Sequence, residues 1–108
     1  MMIGLCFPES VFLGKQLAAE FAAWGCEVQE IEDLNGVLPS LVVAYVRMDA
    51  RLEDLAKVLE DNPKSAVYMT GEGPDLRYSQ LRQYDNFGYL GYCNLGIKLR
   101  EMRRFLGV

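Results

Sequence analysis

Hydrophobic residues along this chain fall into two kinds of run. Five short runs are typical of strands, and amphipathic runs with helical spacing follow most of them. Apolar runs predict strands over residues 2–7, 41–46, 66–69 and 87–92, and alternation of polar and apolar residues predicts an edge strand over residues 27–31. The amphipathic runs predict helices over residues 10–24, 49–60, 76–84 and 95–106, and Asp49 is predicted to cap the helix over residues 49–60. Residues 41–46 form the most strongly β-forming run and are expected at the centre of the sheet.

Strands that alternate with helices predict a parallel sheet with right-handed crossovers and helices on both faces. The expected fold class is therefore α/β, a flavodoxin-like doubly wound five-stranded sheet in the order 2-1-3-4-5, formed by one domain over residues 1–108. Residues 32–39 are too few and too rich in turn-forming residues for a full helix, so the second helix is predicted to be shortened or missing.

Composition narrows the chemistry that this fold can support. The chain has 108 residues, no histidine, and three cysteines without CxxC spacing. Zinc and Ser-His chemistry are disfavoured, and we expect no metal, no cofactor and no enzymatic activity. The odd number of thiols indicates a reduced, cytoplasmic protein. No apolar stretch approaches the roughly 18 residues that span a bilayer, so no membrane contact is expected.

Charge is distributed unevenly along the chain. Residues 1–54 carry three basic and nine acidic side chains, a net charge of −6, whereas residues 55–108 carry a net charge of +2. The late basic residues Lys98, Arg100, Arg103 and Arg104 favour a helix through its macrodipole. An acidic chain lacks the broad positive field of nucleic-acid-binding proteins, so direct nucleic-acid binding is not expected.

Three segments give the chain a resemblance to a known family. Residues 66–71 read Ala-Val-Tyr-Met-Thr-Gly, residues 88–92 read Gly-Tyr-Leu-Gly-Tyr, and residues 41–45 read Leu-Val-Val-Ala-Tyr. Together they resemble the fourth, fifth and third strands of the CheY-like receiver domain of bacterial response regulators. The resemblance covers the whole chain, and it implies a role in two-component signal transduction and transcription regulation.

The resemblance also shows which chemistry is missing. Receivers hold Mg²⁺ with two acidic residues after the first strand, accept phosphate on an aspartate after the third, and use a lysine after the fifth. In this sequence those positions carry Pro8 and Glu9, Tyr45, and Tyr92, while Thr70 keeps the hydroxyl after the fourth strand. Only Glu9 and Thr70 are chemically compatible with the family's site. The resemblance therefore implies a degenerate pseudo-receiver that is not phosphorylated.

Two surface roles follow from the same resemblance. In receivers the hydroxyl after strand four and an aromatic residue on strand five act as a switch, and Thr70 and Tyr89 are compatible types; alternatively, both are ordinary strand residues. Receivers pair through the fourth helix, fifth strand and fifth helix, where tyrosine and arginine favour an interface with a protein partner or a second copy. The candidate residues are Arg77, Tyr78, Arg82, Tyr84, Tyr89, Arg100, Arg103 and Arg104. An ordinary solvated face is the alternative.

The connection between the second and third strands raises one more possibility. It is shorter than the receiver pattern, which leaves either an interaction surface near Leu34, Val37 and Leu38 or a loop folded over the core.

Two functions fit these observations. The first is a phosphorylation-independent signalling or regulatory module that acts by protein–protein contact. The second is a small-ligand-binding flavodoxin-like domain that uses the crevice at the carboxyl ends of its strands. In that case Tyr45, Arg47, Thr70 and Tyr92 hold an anion or an aromatic group.

Overall fold

A five-stranded parallel sheet in the order β2-β1-β3-β4-β5 organises the fold. This computed structural model describes residues 2–72 and 75–108, except for the side chains of Asp75 and Tyr92. The strands are β1 (Met2–Cys6), β2 (Glu27–Glu30), β3 (Leu41–Val46), β4 (Ala66–Gly71) and β5 (Phe87–Tyr89). The helices are α1 (Phe12–Ala23), α2 (Leu52–Asp61) and α3 (Leu95–Leu106), with 3₁₀ segments at Asp75–Gln83 and Tyr92–Asn94. The predicted flavodoxin-like α/β arrangement and its strand order are confirmed.

Side chains from the two faces of the sheet form two separate hydrophobic clusters. The first cluster joins α1 and α3 to the sheet through residues that include Phe21, Val43 and Met102. The second cluster joins α2 and the 3₁₀ segment Asp75–Gln83 to the opposite face, through residues that include Val42 and Leu59. Successive strand residues point to opposite faces, so β3 contributes alternately to both clusters.

The 3₁₀ segment Asp75–Gln83 replaces the α-helix predicted over residues 76–84. Its inward-facing residues Tyr78 and Leu81, followed by Tyr84, recur every three positions, which is the period of a 3₁₀ helix rather than an α-helix. Tyr92 lies in the turn after β5 and not at its end, because β5 stops at Tyr89.

The start of α2 also differs from the prediction. The helix begins at Leu52 with Arg51 at the N-cap position, and no side chain caps it. Asp49 lies in the preceding loop, with its carboxylate 3.8 Å from the guanidinium of Arg47. The prediction that Asp49 caps α2 is therefore wrong.

Tyr68 joins β4 to α3 across the first cluster. Its hydroxyl hydrogen-bonds with Glu101, and burial followed by this acidic neighbour raises the pKa of Tyr68. The ring lies against Gly88 on β5, where a Cβ atom would come within 2.4 Å of a ring carbon. Glycine at position 88 therefore provides the space that this contact requires.

Residues 31–40 cross from β2 to β3 without a helix, which confirms the missing second helix. Leu38 is buried and Leu34 packs beside it on the second cluster, whereas Val37 is 99% exposed. The backbone of Leu38 is fixed at both of its polar groups. Its N–H donates to Asn62 Oδ1 at 3.2 Å, and its carbonyl accepts from Ser65 Oγ at 3.3 Å. The crossover thus folds over the core at Leu34 and Leu38.

We expect Asn62→Ala to lower the free energy of unfolding by about 1–3 kcal/mol, because it leaves the buried N–H of Leu38 without its acceptor. Asn35→Ala, at an exposed position of the same crossover, is expected to change it by less than about 0.5 kcal/mol. Urea unfolding followed by circular dichroism measures both. Equal stabilities of the two variants would contradict the role assigned to Asn62.

Candidate functional site

The carboxyl ends of β1 and β3 open onto a crevice of about 540 Å³ at one edge of the sheet. Doubly wound sheets bind their ligands at this edge, so it is the candidate site. The crevice is lined by residues from the ends of β1, β2 and β3 and the loops that follow them: Cys6, Phe7, Pro8, Glu9, Glu30, Ile31, Glu32, Tyr45 and Arg47. Pro8, Glu9 and Tyr45, which the sequence predicted at this edge, are therefore brought together.

Tyr45 occupies the centre of the edge, at the penultimate position of β3. It is half-buried, and its ring centroid lies 6.0 Å from that of Phe7. In the parallel register it pairs with Thr70 on β4. The end of the central strand thus presents an aromatic pair to the crevice.

Glu9 and its neighbours give the crevice an acidic wall. Pro8 and Glu9 are exposed in the turn between β1 and α1, where the Pro8 carbonyl accepts from the N–H of Val11 at 3.0 Å. Glu30 and Glu32, from the end of the neighbouring strand β2 and the loop after it, also line the crevice. Within the described ranges 2–72 and 75–108, no three cysteine or acidic side chains are arranged to hold a metal ion.

Thr70 and Tyr89 do not form a joined pair. Along β4, Tyr68 faces the first cluster and Met69 the second, so the alternation directs Thr70 toward the first. Tyr89 is packed on the opposite side, with its ring centroid 5.0 Å from that of Tyr78. The sheet therefore separates the two side chains that the resemblance to receivers would couple.

The crevice is poorly suited to anions. Of the four residues predicted to hold a small ligand, Tyr45 and Arg47 line the crevice and Thr70 is not among its lining residues. The side chain of Tyr92 lies outside the described residues. Arg47 is exposed and is already paired with Asp49. The three glutamates of the lining outnumber this one arginine, so the crevice repels rather than attracts negative charge.

Arg77 ties two loops together beside this edge. Its guanidinium donates to the carbonyl oxygens of Arg47 at 3.0 Å and Glu72 at 3.2 Å, and also to that of Ala50. In the reverse direction, the Glu72 carboxylate accepts from the N–H of Met48 at 2.9 Å. We call these four hydrogen bonds the Arg77 clamp. It joins the loop after β3 to the loop after β4.

Gly71 brings the ends of β3 and β4 together for this clamp. Its φ is +144°, and a Cβ atom there would lie 2.1 Å from the carbonyl oxygen of Val46. Only glycine fits at this point. The sequence predicted Arg77 as an interface residue, whereas its guanidinium binds backbone carbonyls of the same chain. In the sequence, the indication of this role was a glycine at the end of a strand with an arginine close behind it.

Cys6 is the one thiol that reaches the crevice. Burial and then the negative charge of Asp33 raise its pKa, which keeps the thiol protonated at neutral pH. A protonated thiol is a poor nucleophile, so the environment of Cys6 disfavours covalent chemistry.

Several residues of the predicted contact surface are used within the fold. Tyr78 is 1% exposed and lies in the second cluster, out of reach of a partner. The Tyr84 hydroxyl donates to Glu60 Oε1 at 2.5 Å, a hydrogen bond that raises the pKa of Tyr84. Arg103 lies over the ring of Trp24 on α1, with its guanidinium carbon 5.7 Å from the ring centroid.

The remaining candidates lie along the outer edge of the sheet and on α3. Arg82, Arg100 and Arg104 are exposed, and Tyr89 is half-buried. Arg82 and Tyr89 line an open depression of about 380 Å³ beside β5. β5 is three residues long and is the last strand in the order of the described sheet. We call Arg82, Tyr89, Arg100 and Arg104, which come from three different elements, the outer surface.

No known protein family matches the chain, and no curated protein or solved structure matches it either. Within the part of the chain that the structure describes, no helix is both long enough and apolar enough to cross a membrane.

We expect Arg77→Ala to loosen both loops that the clamp joins and to lower the free energy of unfolding by about 1–2 kcal/mol. Arg77→Lys is expected to restore only part of this, because an ammonium group cannot reproduce the planar fork of donors. Hydrogen exchange of the amides of residues 47–51, together with urea unfolding, measures the effect. Arg82→Ala, an exposed change in the same 3₁₀ segment, is the control, and equal exchange in the Arg77 and Arg82 variants would argue against the clamp.

Proposed function

We propose that this protein is a phosphorylation-independent regulatory module, built on a receiver-like scaffold, that acts by contact with other protein surfaces. The observation that carries the proposal is the position of Tyr45. It stands near the end of the central strand, packed on Phe7 and paired with Thr70, where the resemblance to receivers requires the phospho-accepting aspartate. A phenol at this position cannot form the acyl phosphate on which receivers depend.

The Arg77 clamp supports the same proposal. A domain that responds to phosphate needs two arrangements of the segments around its site that bind the phosphoryl group differently. Here the loops after β3 and β4 are joined by Arg77 and by the hydrogen bond from Met48 to Glu72. A conformational change needs a ligand that binds the two states differently, and the acidic wall of the crevice disfavours a phosphoryl group in either state.

Contact through the outer surface is the mode of action that we propose. Arg82, Arg100 and Arg104 are exposed, and arginine and tyrosine are enriched at protein interfaces.

The proposal predicts that the protein takes up no phosphate from a small phosphodonor. After incubation with phosphoramidate and Mg²⁺, intact-mass measurement is expected to show the unmodified mass. With beryllofluoride and Mg²⁺, fluorine NMR is expected to show no protein-bound signal. The physical reason is that Tyr45 supplies no carboxylate and that Glu9 alone is a weak ligand for Mg²⁺.

A receiver domain that retains its aspartate, treated in the same way, is the positive control. Tyr45→Phe is the matched variant, because it removes the hydroxyl and keeps the packing on Phe7. Magnesium-dependent phosphate uptake by the unaltered chain would overturn the proposal, whichever residue accepted it.

A further inference from the structure

A groove of about 540 Å³ runs beside α2, where the crossover of residues 31–40 lacks a helix. Its floor is apolar and includes Leu34, Leu55 and Val58. Its walls carry Asp33, Asp49, Asp54 and Asp61, against Arg47 and Lys57. Because Arg47 is paired with Asp49, the remaining charged residues of the lining are three aspartates and one lysine. We call it the α2 groove.

The position of Asp61 does not stabilise its own helix. It is the last residue of α2, and a carboxylate at the C-terminal end of a helix is opposed by the helix dipole. Asp54, by contrast, lies in the first turn, where the dipole favours it. Helix stability thus explains Asp54 but not Asp61, and the shared position of both on the α2 groove relates them to something outside the helix.

The outward side of α3 has the opposite character. Its inward residues Met102 and Leu106 are buried in the first cluster. On the outward side, Ile97 is 60% exposed and Phe105 is 52% exposed. Arg100 and Arg104, three and seven residues after Ile97, share its helix face and are also exposed. Glu101 lies between Ile97 and Phe105 on this side, and its carboxylate is paired with the ammonium group of Lys98 at 3.2 Å. We call Ile97, Arg100, Arg104 and Phe105 the α3 face.

We propose that copies of this chain associate head to tail, with the α3 face of one copy seated in the α2 groove of the next. The arginines of the α3 face oppose the aspartates of the groove, and its apolar side chains cover the apolar floor. A preformed helix thereby fills the place that the crossover leaves without one. The inference rests on the proposed function only in taking α3 as a contact surface; it is independent of the phosphate chemistry.

The geometry of the fold sets the kind of assembly. The α3 face belongs to the side of the sheet that holds the first cluster, and the α2 groove to the side that holds the second. Each copy therefore offers two different surfaces on opposite sides, and contact between unlike surfaces extends to rings or open chains rather than closing as a two-fold dimer. Because the opposing charges are exposed, salt should weaken the association.

The proposal is tested by sedimentation velocity of the full chain. The measurement is made at about 10 µM and about 300 µM protein, and at each concentration in about 0.02 M and about 0.5 M salt. We expect species larger than a dimer at high concentration and low salt. Two double variants, Asp54→Lys with Asp61→Lys and Arg100→Glu with Arg104→Glu, should each weaken the association by about tenfold or more. The chain that carries all four substitutions has the charge of both surfaces reversed, and its copies should associate again.

The matched control is Glu20→Lys with Glu27→Lys, which makes the same charge change at exposed positions on α1 and β2. It should associate like the unaltered chain. A monomer under every condition, or a species that stops at two copies, would overturn the proposal. So would four-fold charge reversal that fails to restore association, which would leave the groove to a different, basic partner. None of these outcomes touches phosphate uptake, so the two proposals can fail separately.

Discussion

Burial of β3 on both faces is the constraint on which the rest of the fold depends. Leu41, Val42 and Val43 are 0% exposed, and among the six residues of the strand only Tyr45 reaches intermediate exposure. Burial of each large aliphatic side chain is worth about 1.5–3 kcal/mol, but a strand at the centre of the sheet obtains it only if both faces are covered. Helices α1 and α3 cover one face, and α2 with the 3₁₀ segment Asp75–Gln83 covers the other. Parallel pairing with β1 and β4 then brings the strand ends to one edge, where the exceptional residue Tyr45 lies.

The covering of the second face is incomplete because its crossover is short. Residues 31–40 are occupied in spanning from β2 to β3, and they reach the core through Leu34 and Leu38 without a helical turn. Asn62 and Ser65 supply the hydrogen bonds that a helix would have supplied internally: the N–H of Leu38 donates to Asn62, and its carbonyl accepts from Ser65. Because this connection is short and has no helix, it leaves space beside α2. The groove is thus a direct consequence of chain length in one connection, and its acidic walls are an additional property of the sequence.

Strand order and the position of the candidate site could be predicted from the sequence because both follow from periodicity and crossover rules. Continuous apolar runs joined by amphipathic ones admit few topologies, and parallel strand ends share an edge, so Pro8, Glu9 and Tyr45 had to lie near one another. The direction of single side chains in an irregular segment could not be predicted. Tyr78 and Arg77 are adjacent, yet the 3₁₀ winding sends one into the core and the other to three backbone carbonyls. The α-helix predicted over residues 76–84 could not show that Tyr78 points inward and Arg77 does not, because an α-helix has a different period from the 3₁₀ helix that the chain adopts.

The structure and the proposed mode of action are linked through what a switch requires. A regulatory domain that changes shape needs two states of similar free energy and a ligand that distinguishes them. At the strand ends of this protein, Gly71 holds β4 against the carbonyl of Val46 and the Arg77 clamp joins the flanking loops, so a second arrangement would have to break several hydrogen bonds together. Regulation by association makes no such demand, because a rigid surface binds with less loss of conformational entropy than a mobile one. If the protein acts as we propose, it works through its outer faces without phosphate chemistry in the crevice, and for that use rigidity at the crevice is an advantage.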